Sequence, residues 1–270
     1  MSAQRMNMHW DPSLYGRYAG ERAQPFFDLT ARISAVAPRN VVDLGCGTGA
    51  LTQTLAERWP AARILGIDSS PHMVNRANEA AGGSSRLTFE LRDLAAWLPD
   101  ETTEVVISNA ALQWVPEHRE LLAAWGAALA DGAWLAFQVP GNYAAPSHRL
   151  MREVAASERW RSQLDGVLRS EDAVSEPEEY LRLLSGLGFT TTAWETTYLH
   201  VLAGEDPVLE WVRGTGLRPA LQALPPAAAV EFEADYARLL RQAYPQTELG
   251  TVFPFRRIFV VGLKDGRAGR

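Results

Sequence analysis

Three glycines alternate in the run Val41-Val42-Asp43-Leu44-Gly45-Cys46-Gly47-Thr48-Gly49, and the run Arg63-Ile64-Leu65-Gly66-Ile67-Asp68 then ends in an acid. A glycine-paved turn lets backbone N–H groups approach a ligand that any Cβ would push away. A carboxylate closing the next strand, about 20 residues on, can accept both hydroxyls of a ribose. Residues 41–44 read as a buried parallel strand and residues 51–59 as the helix behind the turn. Together they point to a nucleoside-binding enzyme. The spacing is GxGxG, whereas a dinucleotide site carries GxGxxG, with a third glycine that lets a pyrophosphate sit at the helix N-terminus. For the turn alone, the alternative is a tight strand-to-helix connection of any α/β protein.

Two later strand ends add polar groups. Leu87-Thr88-Phe89-Glu90-Leu91 reads as a short strand leading to Asp93, whose carboxylate can accept an adenine amino group while the adjacent backbone N–H of Leu94 reads a ring nitrogen. Val105-Val106-Ile107-Ser108-Asn109-Ala110 is a fourth apolar strand. Taken singly, Asp93 is equally a helix N-cap and Asn109 equally a turn residue.

With Asp43 two residues ahead of its first glycine, the turn resembles motif I of the class I S-adenosylmethionine-dependent methyltransferases. That resemblance implies S-adenosyl-L-methionine as cofactor and S-adenosyl-L-homocysteine as product, bound by Asp43, Gly45, Gly47, Gly49, Asp68 and Ser69, with Asp93 and Leu94 at the adenine. It also implies that the residues leaving the fourth strand, Asn109, Ala110, Ala111 and Gln113, flank the reactive methyl and the methionine amine. Arg22, on the first helix, is a candidate partner for the methionine carboxylate; otherwise it is an exposed helix arginine in an ordinary ion pair.

Over nearly its whole length the chain is similar to the trans-aconitate 2-methyltransferases. The stretches that carry this are Trp10-Asp11-Pro12-Ser13-Leu14-Tyr15 with Glu21-Arg22, Ile67-Asp68-Ser69-Ser70-Pro71, and Ser108-Asn109-Ala110-Ala111-Leu112-Gln113-Trp114. It continues in His148-Arg149-Leu150-Met151-Arg152-Glu153-Val154, Thr196-Thr197-Tyr198-Leu199-His200, Thr215-Gly216-Leu217-Arg218-Pro219 and Phe255-Arg256-Arg257-Ile258-Phe259. The chain departs from the family pattern at Thr48, where Pro also occurs, in a longer N-terminus and in a Gly-rich tail. None of these touches the glycines or the quoted stretches. The implied activity is esterification of one carboxylate of trans-aconitate.

Positioning these residues requires alternating strands and helices. From about residue 22 to 140 the pattern gives a helix over residues 22–36, strands near 41, 63, 87, 104 and 132, and helices starting near 50, 71 and 117. This is a doubly wound parallel sheet, and the resemblance implies the seven-stranded, mostly parallel Rossmann-like sheet of the class I methyltransferases. Ser70 and Pro71 supply an N-cap and a first-turn proline directly behind the ribose acid. Residues 134–139 form the fifth strand, residues 177–187 a helix closed by Gly188, residues 190–202 a sixth strand and residues 255–263 the last. Residues 204–250, two or three helices, are too long for a hairpin connection. One domain is expected over residues 1–270. Its core covers about 22–145, 177–202 and 251–266, and a helical cap over the C-terminal strand edge comes from 1–20, 147–172 and 204–250.

The chain has 270 residues, is 47% hydrophobic and carries a net charge of -6, which suits one large core and argues against a basic nucleic-acid-binding surface. Cys46 is the only cysteine, so no intrachain disulfide is possible, and it reads as a small buried residue rather than a nucleophile. No signal-peptide core or membrane-length apolar run appears, so a soluble, cytoplasmic protein is expected. The oligomeric state stays open, a monomer included. Lys264 is the only lysine against 25 arginines, which reads as compositional bias except where a bidentate carboxylate clamp is needed.

Methyl transfer to a carboxylate needs no general base, because the nucleophile is already ionised at neutral pH. Catalysis then rests on alignment and exclusion of water, with Gln113 and Trp114 as the positioning residues. Cations should clamp mainly the carboxylates that do not react. No metal is required and no Cys/His ligand cluster is present. Candidates for the acid are His148, Arg152, Arg218 and Arg257, with Trp114, Tyr143 and Tyr198 as donors and walls. Arg152 and Arg218 are equally solvated helix residues. Arg257 lies in an apolar strand, where an unpaired charge is costly, and Arg256 should point to the opposite face. Trp10, Tyr15 and Tyr18 are either a flap, with Trp10 and Tyr15 as its substrate contacts, or a hydrophobic staple. Other readings are a carboxyl methyltransferase for another small or acyl-carrier-bound acid, a non-catalytic S-adenosylmethionine-binding regulator and, more weakly, a nicotinamide dehydrogenase.

Overall fold

In a computed structural model of the protein, residues 19–265 are described, without the side chains of residues 19, 21 and 22. Trp10, Tyr15 and Tyr18 lie outside the described residues, as does the side chain of Arg22. The strands are β1 (Asn40–Leu44), β2 (Arg63–Asp68), β3 (Leu87–Leu91), β4 (Val105–Asn109), β5 (Trp134–Pro140), β6 (Phe189–Leu202), β7 (Gln246–Thr247) and β8 (Gly250–Lys264). The helices are α1 (Ala19–Thr30), α2 (Ala50–Arg58), α3 (Pro71–Ala81), α4 (His118–Ala128), α5 (Pro146–Ala155), α6 (Arg161–Leu164), α7 (Pro177–Gly186), α8 (Pro207–Arg213), α9 (Arg218–Ala223) and α10 (Pro226–Ala243). The described chain divides into two compact units. Unit 1 holds the described residues up to Val139, Glu176–Trp194 and those from Ile258 on; unit 2 holds Pro140–Ser175 and Glu195–Arg257.

The sheet runs β3-β2-β1-β4-β5-β8-β6, and β7 pairs antiparallel with β8. The two-residue β7 makes eight strands where the sequence suggests seven. β1 pairs in parallel with β2 on one side and β4 on the other, so the strand order reverses between β1 and β4, where open α/β sheets bind ligands. Consecutive apolar residues suit strands covered on both faces, and Val105, Val106 and Ile107 are all buried. Behind β2, the Ser70 hydroxyl accepts from the Met73 N–H at 3.5 Å and Pro71 opens α3. Trp97 and Trp125 meet edge to face at 5.7 Å, with the Trp125 indole donating to the Trp97 carbonyl at 2.9 Å.

Two boundaries differ from the sequence expectation. The first helix ends at Thr30 rather than near Val36, which is 95% exposed. Its closure is tertiary: Arg58, at the end of α2, donates to the Thr30 carbonyl and, at 2.6 Å, to the Ile33 carbonyl, and the Trp59 indole donates to the Ala35 carbonyl. The last strand begins at Gly250 rather than near residue 255. Pro254 hides this beginning in the sequence; in the strand it is exposed, between buried Phe253 and Phe255.

The core of unit 2 is aromatic. Trp160 packs edge to face on Phe232 at 5.6 Å, and Phe253 on Tyr244 at 5.3 Å and Trp211 at 5.7 Å. The Tyr236 hydroxyl donates to the Ser147 carbonyl at 2.6 Å, and the Ser147 N–H donates to the Tyr244 hydroxyl at 3.0 Å, which fixes the start of α5 on this core.

Candidate functional site

In unit 1 the residues singled out by the sequence gather at the carboxyl ends of parallel strands, since Leu44 pairs with Ile67, Asp68 with Leu91 and Asn109 with Gln138. Gly45, Gly47 and Gly49 all have positive φ, at 82°, 57° and 75°. They serve different ends. A Cβ on Gly49 would lie 2.5 Å from the Phe89 ring, and one on Gly45 would lie 2.2 Å from the Ala111 Cβ. Nothing lies within 4 Å of the corresponding position on Gly47. Two of the three glycines are therefore demanded by the protein's own packing, and only Gly47 opens the turn to an approaching group. Phe89, overlooked in the sequence, also fills the space left by Gly66; a glycine inside an apolar strand was the available signal.

Asp68 ties the turn to β2. Its Oδ2 accepts from the Gly47 N–H at 3.0 Å and its Oδ1 from the Ser70 N–H at 2.8 Å. A carboxylate has about four lone-pair positions, so acceptor capacity remains beyond these bonds. Burial raises the Asp68 pKa, opposed by the N–H groups of Ser70, Gly47 and Ser69. The Ser69 side is exposed. Asp43 is buried and turned toward α2, where its Oδ2 accepts from the Thr52 hydroxyl at 2.6 Å. Burial pushes its pKa up to about 6, with the Thr52 bond opposing and the Asp68 charge adding. Cys46 is half-buried, its thiol pushed up by burial and by the charges of Asp43 and Asp68, as a non-nucleophilic cysteine requires.

Asp93 caps the short 3₁₀ turn Leu94–Ala96, its Oδ1 accepting from the Ala95 N–H at 2.9 Å; Asp93 and Leu94 are half-buried. At the end of β4, Ala110 has φ 55°, the one positive value outside glycine among the described residues. A non-glycine residue held there stores strain, which marks functional sites. Its N–H donates to the Gln138 carbonyl at 2.9 Å and its carbonyl accepts from Gln113 Nε2 at 2.6 Å. The bond fixes the amide orientation, because a carbonyl can only accept. Gln113 Oε1 is thus left as a buried acceptor with no partner among the described residues, and so is Asn109 Oδ1. Trp114 follows, half-buried. Ser108 and Gln138, fully buried and unassigned from sequence, brace these ends; the Ser108 hydroxyl donates to the Leu44 carbonyl at 3.0 Å.

In unit 2, α5 places His148 and Arg152 four residues apart on one helix face. Tyr143 packs on the His148 ring at 5.2 Å. A Cβ on Gly216 would lie 2.9 Å from His148 Nε2, so the Thr215-Gly216-Leu217-Arg218 segment closes on the same ring. Burial, then the Arg152 charge, pushes the His148 pKa down to about 4, which leaves a neutral imidazole at pH 7. Burial pushes the Tyr143 hydroxyl up to about 12, opposed by the charge of Arg169, which the sequence reading did not single out. Arg152 Nη2 donates to Glu171 at 2.8 Å, and its Nη1 is buried with no partner among the described residues. Arg218 is half-buried at the first residue of α9.

Alternation along β8 separates the paired arginines. Arg257, 4% exposed, shares the buried face of Phe253 and Phe255, its guanidinium 4.7 Å from the Phe255 ring centre. Arg256 lies on the other face, paired with Glu195. Tyr198 stacks on His200 at 6.2 Å, and His200 on Trp211 at 4.7 Å. His200 and Trp211 join this row without having been assigned; the period of two along β6 was the signal for His200.

The methyltransferase domain family matches residues 41–132. The chain is 54% identical over 261 residues, 95% of its own length and 97% of the relative's, to the trans-aconitate 2-methyltransferase of Streptomyces avermitilis. It is 51% identical over 254 residues, 93% of its length and 98% of the relative's, to that of Rhodococcus jostii. Among solved structures it resembles the YcgJ protein of Bacillus subtilis, with TM-score 0.57, 13% identity and coverage of 91% of this chain and 98% of that one. A putative sarcosine dimethylglycine methyltransferase of Galdieria sulphuraria gives TM-score 0.55 at 12% identity, with coverage of 96% and 92%. These structural likenesses bear on the fold alone, the open Rossmann-like sheet of the class I methyltransferases. With identity above half over nearly full length on both sides, the chain belongs to the trans-aconitate 2-methyltransferase family.

Proposed function

We propose that this protein transfers a methyl group from S-adenosylmethionine to one carboxylate of trans-aconitate, forming the monomethyl ester and S-adenosylhomocysteine. The observation that carries the reading is the 54% identity to a trans-aconitate 2-methyltransferase over 95% of the chain. The residues of unit 1 fit the cofactor: a turn open at Gly47, acceptor positions remaining on Asp68, and two buried acceptors, Asn109 Oδ1 and Gln113 Oε1, that call for donors or positive charge. When bound, S-adenosylmethionine supplies a methyl carbon activated by sulfonium, so that one C–S bond breaks as one C–O bond forms and both charges are neutralised.

Asp68 and Ser69 are assigned to the ribose, Asp93 and Leu94 to the adenine, Asn109 and Ala110 to the methionine amine, and Arg22 to the methionine carboxylate. Asp43 supports the turn from behind through Thr52. The expected cap segments 147–172 and 204–250 both fall within unit 2, and they carry His148, Arg152 and Arg218. Arg152, Arg218 and Arg257 neutralise the carboxylates that do not react. Tyr143 and Tyr198 donate or wall the acid, and His148, neutral at pH 7 before the acid binds, offers a hydrogen-bonding ring rather than a charge. Trp114 and Gln113 position the reacting group, with Trp10 and Tyr15 as the flap. No described helix is long and apolar enough to cross a membrane, and a cytoplasmic setting accords with the single cysteine.

Incubation with methyl-labelled cofactor and trans-aconitate should give a labelled monoester; no ester above background would remove this substrate. A panel including a fatty acid and an acyl-carrier-bound acid separates the remaining carboxyl methyltransferase readings. Asp68→Ala should weaken cofactor binding chiefly, and Arg257→Ala substrate capture chiefly. If both altered only cofactor affinity, the assignment of roles would be wrong.

A further inference from the structure

Arg152 divides its guanidinium. One terminal nitrogen, Nη2, bonds Glu171 Oε1 at 2.8 Å, while the other, Nη1, is buried with no partner among the described residues. The partner acid is 60% exposed and the arginine side chain 22% exposed. An ion pair so open to water contributes little to stability. It does have a geometric consequence. The guanidinium is planar with its donors in a fixed fork, so anchoring one edge aims the other. A buried N–H left without an acceptor is costly, and an anionic group arriving at Nη1 removes that cost. Beside it, burial and the Arg152 charge push the His148 pKa down to about 4.

We propose that Glu171 is a positioning residue for substrate capture: by holding Arg152 Nη2 it presents Nη1 to a carboxylate of the acid that does not react. The proposal rests on the assignment of Arg152 to substrate given above. It predicts that Glu171 acts only through Arg152 and only on the acid, leaving the cofactor untouched.

The test is steady-state kinetics of the full chain with trans-aconitate and S-adenosylmethionine for Glu171→Ala, Glu171→Gln, Arg152→Ala and the Arg152→Ala/Glu171→Ala double variant. Glu171→Ala should raise KM for trans-aconitate by about 3- to 10-fold, the scale of one ordinary hydrogen bond, because Arg152 is loosened rather than removed, with kcat within about twofold. Glu171→Gln, which keeps an acceptor oxygen, should recover part of the loss. The double variant should match Arg152→Ala alone. Melting midpoint and cofactor affinity should not move, which a merely structural role would not allow. If Glu171→Ala leaves KM unchanged while Arg152→Ala raises it, or if it lowers KM, the proposal is wrong and the assignment of Arg152 stands. If Arg152→Ala itself leaves KM unchanged, both fall. Absence of turnover in the unaltered chain would instead refute the proposed function.

Discussion

Replacing Asp43 by asparagine should flatten the pH dependence of stability, by an amount set by its burial. The carboxyl lies inside unit 1 with Thr52 as its hydrogen-bond partner, and its pKa moves from the ordinary 3.8 up to about 6. A raised folded-state pKa means the native protein binds the proton more tightly than the unfolded chain. The associated stability is fully present below pH 3.8 and lost as pH rises through about 6. At about 1.4 kcal/mol per pH unit, the whole effect is about 3 kcal/mol. Roughly 2 kcal/mol of it falls between about pH 4.5 and pH 8. The asparagine of the Asp43→Asn variant has no charge to lose and can still accept from Thr52. Its added N–H₂ group shifts the variant by an amount independent of pH, so the prediction concerns the slope. Urea unfolding of both proteins without cofactor, at half-unit pH intervals, measures it. Relative to the unaltered chain, the variant should gain about 2 kcal/mol on going from about pH 4.5 to pH 8. A difference that stays constant across this range, or that moves the other way, would refute the burial of an ionisable Asp43.

The glycine turn gives a second comparison. Gly49→Ala forces a methyl to 2.5 Å from the Phe89 ring at φ 75° and should cost about 3 kcal/mol in urea unfolding, whereas Gly47→Ala, with nothing within 4 Å, should cost about 1 kcal/mol and show mainly in cofactor affinity. Gln113→Ala removes the 2.6 Å bond that holds Ala110 at φ 55°, and should weaken S-adenosylhomocysteine binding several-fold by calorimetry. Adding Ala110→Gly, which relieves the backbone strain, should return part of the loss; no recovery would place the effect of Gln113 in direct contact instead.

Much of unit 1 is legible from local pattern. Buried strands announce themselves as short apolar runs, the Ser70-Pro71 pair starts α3, and the glycines mark φ values that other residues resist, so the turn and the acid closing β2 could be placed from residue types alone. The family likeness was equally readable, because it rests on consecutive residues. The end of α1 was not, since Arg58 reaches back to Thr30, 28 residues away in sequence. Nor was the start of β8, which lies ahead of Pro254, a residue that reads as a strand breaker.

The side-chain partners were decided by the fold. That Gly45 and Gly49 answer to Ala111 and Phe89 while Gly47 stays open, that Asp43 turns to Thr52, and that Arg257 is buried while Arg256 pairs with Glu195 are facts about neighbours distant in the chain. Residue type and spacing determine backbone conformation and which face of an element is apolar, because those depend on a few adjacent residues. Burial, orphaned hydrogen-bonding atoms and shifted ionisation depend on what packs against a group from elsewhere, and only the tertiary structure supplies that.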